Sequence, residues 1–64
     1  MNSKLWNAQA VAKADWAAIW GRDHGNEGVV AYAAEVKTMI ASGKTQDEVL
    51  RSTAYAICNR VWYK

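Results

Sequence analysis

Proline and phenylalanine are missing from this chain, cysteine and histidine occur once each, and the net charge is only +2. Each shortage excludes something. Without proline, no helix is interrupted by a ring that cannot donate a hydrogen bond. The single cysteine, Cys58, cannot close an internal disulfide, whereas small secreted scaffolds carry several. A reducing, cytoplasmic compartment is the expectation. No Ser/His/Asp or Cys/His nucleophile arrangement can be argued from these residues, so no enzyme and no cofactor are expected. Residues 1–32 carry three basic and three acidic groups, and residues 33–64 carry five and three. That excess is too small to demand a nucleic-acid partner. Residues 5–20 are interrupted by Lys13 and Asp15 and lack the apolar core of an export signal. No stretch reaches the roughly eighteen apolar residues of a membrane span.

What is present is apolar and small. Of 64 residues, 52% are hydrophobic, which argues against disorder. Alanine is abundant, and it favours helix and close helix packing. The aromatic load is four tryptophans (Trp6, Trp16, Trp20, Trp62) and three tyrosines (Tyr32, Tyr55, Tyr63). The length allows one domain, residues 1–64,. For such a mass, scaling predicts about 4,000 Å² of folded surface against about 10,000 Å² unfolded. Burying the apolar share of the difference contributes about 90 kcal/mol, and ordering the chain costs about 95 kcal/mol. A second copy or a partner would tip so close a balance.

Apolar periodicity predicts three helices. At about 100° per residue, Leu5, Ala8, Ala12, Trp16 and Ile19 fall on one stripe of a helix over residues 3–20. Its far side holds Asn7, Ala10, Ala14 and Ala18, and Gly21 suits a C-cap. The break from Gly21 to Gly28 is rich in turn residues, with Asn26 as N-cap and Asp23 as competitor. Val29, Ala33, Val36 and Ile40 align on a second helix over residues 27–42, which Gly43 ends. Thr45-Gln46-Asp47-Glu48 spells a capping box. It opens a third helix over residues 46–62, with Leu50, Ala54, Ile57 and Val61 as its core stripe. Short loops favour antiparallel neighbours, hence an all-α, small three-helix bundle, or helices paired across a dimer.

Four local patterns carry chemistry on paper. Gly43-Lys44-Thr45 matches the end of a phosphate-binding loop, but Thr38 stands where that motif needs glycine, and a helix precedes it instead of a strand. Met39 to Glu48 could open a DNA-binding helix-turn-helix, yet an unbroken helix from Gln46 to Trp62 leaves no separate recognition helix. Arg51 and Arg60 also fall on opposite sides of it. Asp23, His24 and Glu27 form the one polar cluster able to hold a metal or small ligand, with no second ligand group beside it. Cys58 flanks the core stripe and reads as a packing residue rather than a nucleophile. The stretch from Ile19 to Val36, with Asn59-Arg60-Val61, resembles a segment of cell-wall hydrolases of the spore-cortex type. That likeness covers less than half the chain, and Arg22 stands where the family has an acidic residue after the glycine. The chain is also too short for that enzyme, so the resemblance implies no activity here.

The surplus of aromatic groups is what remains. Tyr55 and Trp62 share a line on the third helix, together with Arg51, well away from its core stripe. Trp6 lies off the core stripe of the first helix. A bundle with one core would leave these groups wet, and large exposed apolar patches mark interfaces. Trp, Tyr and Arg are enriched at binding hot spots. The expectation is a small cytoplasmic protein-binding module that contacts its partner through Arg51, Tyr55, Trp62 and Trp6. Such a module would serve as a regulator or inhibitor, of the kind phages and mobile elements encode, and it is expected to self-associate. One alternative is a nucleic-acid binder using Lys44, Arg51, Arg60 and Lys64. The other is a ligand or metal binder using the Asp23–Glu27 loop.

Overall fold

The computed structural model describes residues 3–64 and is all-α. Its elements are α1 (Lys4–Asp23), α2 (Glu27–Ala41), α3 (Gln46–Leu50) and α4 (Thr53–Trp62). Helices α1, α2 and α4 pack against one another, and the short α3 touches α2 and α4. Side-chain contacts run in step from the Trp6–Tyr55 pair to the Trp16–Trp62 pair, so α1 and α4 are parallel. Lys37 reaches Asp15, and Val30 lies beside Gly21, so α2 is antiparallel to α1. The accessible surface is 4294 Å², close to the scaling value.

The helix ends follow local hydrogen bonding. Ser3, Asn26 and Thr45 each accept a backbone N–H three residues on, at 2.9, 3.2 and 3.2 Å. At Thr45 the capping box is complete, since Glu48 accepts from the Thr45 N–H at 3.4 Å and from its hydroxyl at 3.1 Å,. Helices α1 and α2 both end in a glycine with positive φ, Gly25 at 66° and Gly43 at 85°. The next N–H then reaches back to the carbonyl five residues earlier, from Asn26 to Gly21 at 2.7 Å and from Lys44 to Met39 at 3.0 Å. Both are Schellman closures, which need a left-handed residue at that place.

Two expectations about helix ends are corrected here. Gly21 does not cap α1. The helix runs on to Asp23, and Gly21 is buried inside it. A Cβ there would meet Val30 Cγ2 at 2.9 Å and the Asn26 carbonyl at 3.0 Å. Gly21 is therefore the place where the turn and the start of α2 close down on α1. Nor is residues 46–62 one helix. Ser52 breaks it: its backbone is extended, its hydroxyl accepts from the Tyr55 N–H at 3.1 Å, and it donates to the Val49 carbonyl at 2.6 Å. A serine hydroxyl that satisfies both sides of a break competes with helix continuation. The apolar period runs through Ser52 undisturbed, which hid the break.

The break changes which residues face inward. In place of Leu50, which is exposed, Val49 is fully buried, and Tyr55 and Cys58 join Ala54 and Val61 inside. On α2 the expected Val29, Ala33 and Val36 are all buried. On α1 the expectation is reversed. The buried face is Ala10, Ala14, Ala17 and Gly21, which includes the far side of the expected stripe, while Leu5, Trp16 and Ile19 are exposed. Side chains this small let backbones approach closely, and dispersion between them then counts for more than the area of any one residue. Large side chains on α1 would hold α2 away.

Candidate docking surface

The four expected contact residues do not share one exposed face. Tyr55 is only 8% exposed and belongs to the core. Trp6 is partly buried and packs on it, with ring centroids 6.0 Å apart at 30°. Arg51 is exposed and caps the C-terminal end of α3. Trp62 sits at the other end of α4, 43% exposed. The reading that leaves Tyr55 wet is therefore corrected: the two-residue break at Arg51 and Ser52 turns α4 so that the Tyr55 ring points inward.

Lys13 makes that burial tolerable for a phenol. Its ammonium lies 3.5 Å from the Tyr55 hydroxyl and donates to Asn59 Oδ1 at 2.9 Å. It also sits 5.7 Å over the Tyr55 ring and 5.6 Å over the Tyr63 ring. A cation over aromatic faces is attracted by the ring quadrupole. The signal was present in the sequence, since a lysine interrupts the apolar residues of α1 on the side that meets α4.

A different apolar surface stands exposed. Leu5 (69%), Trp16 (45%) and Ile19 (49%) project from α1 on the side opposite its buried alanines. Ala8 and Ala12, both exposed, lie between them. Trp16 meets Trp62 edge to face, centroids 6.4 Å apart at 86°, which carries the patch onto α4,. Tyr63 follows, 75% exposed. Between the helices lies an open groove of about 320 Å³ lined by Gln9, Ala12, Lys13, Trp62 and Tyr63. The stripe Leu5–Ala8–Ala12–Trp16–Ile19 was legible in the sequence, but as a core face.

The other candidate sites resolve as follows. His24 stacks on Trp20, centroids 4.1 Å apart at 16°, with Nδ1 2.8 Å from the Trp20 carbonyl oxygen. Lys64 covers the same indole, its ammonium 5.6 Å from the centroid. Among the described residues no three of His, Cys, Asp and Glu gather where a metal could sit. An open groove of about 480 Å³ runs beside the loop, lined by Gly21, Arg22, Gly25, Asn26, Glu27 and Val30 among others. Asn26 Oδ1 is already engaged in capping α2.

The basic groups are dispersed. Lys44 pairs with Glu48 at 3.7 Å, Lys64 lies on Trp20, and Arg51 and Arg60 are exposed at opposite ends of α4. The break at Ser52 does supply the second turn that a helix-turn-helix requires. However, α3 has only five residues, two of them acidic, Asp47 and Glu48. Hydrogen bonds from the Thr45 backbone and hydroxyl, with Lys44 nearby, hold the Glu48 carboxyl below its ordinary range. Cys58 is fully buried, and that burial pushes its thiol up. No helix among the described residues is long and apolar enough to cross a membrane. No known family model matches the chain, and no curated protein or solved structure matches it.

Proposed function

We propose that this chain is a protein-docking module whose contact surface is the outer stripe of α1 with Trp62 and Tyr63. One observation carries the proposal. Helix α1 bears apolar residues on two opposite faces, and the core takes only the alanine face. An apolar stripe on a helix ordinarily faces a packed partner, and the stripe that carries Leu5, Trp16 and Ile19 faces solvent. Trp16, Trp62 and Tyr63 beside a groove match the aromatic anchors and pocket of an interaction hot spot. Of the set expected from sequence, Trp62 remains a contact residue. Tyr55 and Trp6 serve as its foundation instead, and Arg51 lies at the other end of α4. The module works in the cytoplasm, where Cys58 stays reduced, and its role is regulatory or inhibitory, exerted by docking on a larger protein.

The test compares tagged wild type with a Trp16→Ser/Ile19→Ser double variant. Both positions are exposed, so circular dichroism should show the same helix content. The expected result is that the variant loses a protein, or its own second copy, that wild type retains. Identical co-purifying proteins and identical size in solution would overturn the proposal.

A further inference from the structure

The stripe on α1 has an internal symmetry. Leu5 and Ile19 lie seven positions to either side of Ala12, and Ala8 and Trp16 lie four to either side. Turned end for end about Ala12, the stripe meets itself with large side chains opposite large at its ends, Leu5 against Ile19. Nearer the middle, the indole of Trp16 falls on the small Ala8, and Ala12 falls on Ala12. A two-fold interface is the same patch used twice, so self-complementarity of this kind is what it requires. We infer that the occupant of this surface is a second copy of the chain, with the two α1 helices packed antiparallel across Ala12. The inference rests on the docking-module reading above and names its partner.

Charge and area point the same way. In a parallel pair Asp23, at the end of the stripe, would come close to its own copy, and like charges brought together oppose association,. The antiparallel pair carries the two Asp23 carboxylates to opposite ends and brings Lys4 to the end that holds both Asp23 and Arg22. Asp15 pairs with Lys37 of its own chain at 2.9 Å and does not distinguish the two arrangements. The exposed parts of Leu5, Trp16, Ile19, Trp62 and Tyr63 sum to on the order of 500 Å² per chain. Two copies would bury about 1,000 Å², the lower bound for a specific interface. The predicted dimer is accordingly a modest one, in exchange with monomer.

The experiment is sedimentation equilibrium from about 1 µM to 1 mM, the range in which a modest interface dissociates, with site-directed cross-linking. Wild type should dimerise with rising concentration. Ala12→Glu places two carboxylates on the axis and should raise the dissociation constant at least about a hundredfold, with unchanged helix content because Ala12 is exposed. Under oxidation, Ala12→Cys should cross-link to itself. Leu5→Cys should cross-link to Ile19→Cys in a mixture, and neither should do so alone. Cys58 is fully buried and does not compete. A wild type that stays monomeric, or a Leu5→Cys chain that cross-links to itself, overturns the antiparallel pair. A monomer whose Trp16→Ser/Ile19→Ser variant still loses a co-purifying protein overturns self-pairing and keeps the docking module. A monomer whose variant loses nothing overturns both.

Discussion

The ammonium of Lys13 donates to Asn59 Oδ1 at 2.9 Å, and through it a polar contact fixes the register between α1 and α4. The same group reaches the Tyr55 hydroxyl and two aromatic faces. Lys13→Met keeps the aliphatic stem and removes all four interactions. It should lower stability by about 1 kcal/mol, the net value of a partly exposed charge-assisted hydrogen bond. For a domain this small that is a drop in Tm of about 4–8 °C. Asn59→Ala should cost about as much. A double variant that costs clearly less than the two singles together places both in one interaction. Full additivity would show that the contact carries no coupling.

Gly21 sits inside a helix, where alanine is ordinarily favoured by about 1 kcal/mol. Here the sign should reverse. A methyl group at Gly21 meets Val30 and the Asn26 carbonyl at 3.0 Å or less, and one of the two contacts is rigid backbone. Gly21→Ala should destabilise by about 1–3 kcal/mol through overpacking. Denaturant midpoints of wild type and variant decide it, and a stabilised variant would refute the close approach.

Tyr55 and Trp62 should separate cleanly on truncation. Tyr55→Ala empties a buried site and should cost about 3–5 kcal/mol, enough to unfold a chain of this size. Trp62→Ala removes a half-exposed ring in edge contact with Trp16 and should leave the chain folded, at a cost of about 1 kcal/mol. Thermal melts at low concentration, where docking does not contribute, measure both. Equal losses would mean that the two rings are equally buried.

The Cys58 thiol should be silent in the native state. It is fully buried, and burial pushes its thiol up, so at pH 8 the thiolate fraction is smaller than that of a free cysteine,. Reaction with a disulfide reagent should follow unfolding and accelerate in denaturant. A burst of labelling in native buffer would show an accessible, activated thiol.

Glu48 gives the fold a pH dependence of known sign. Its carboxyl is held below its ordinary value of 4.5, chiefly by the Thr45 backbone N–H, then by the Thr45 hydroxyl. A lowered folded value means that the contribution is present above about pH 4.5 and is lost as pH falls through that lower value. Tm should decline on acidification below 4.5, and Glu48→Gln should flatten that part of the profile. If the two profiles coincide, the capping box carries no titrating contribution.

Much of this molecule was written locally. Asn26 and Thr45 as caps, Glu48 closing the box, Gly43 ending α2 and the inward face of α2 depend on groups within a few residues of each other, so the sequence alone determined them. The outcome at Ser52 was also local, but a hydroxyl cap leaves the apolar period intact and so leaves no gap in the pattern. The face that α1 buries was decided only in the tertiary structure. Periodicity weighs side chains by size, and by that weight Leu5, Trp16 and Ile19 form the core stripe. The assembled chain weighs how near two backbones can come, and there Ala10, Ala14, Ala17 and Gly21 prevail because they let α2 and α4 close in. That choice sends Leu5, Trp16 and Ile19 outward, and the proposed contact surface follows from it.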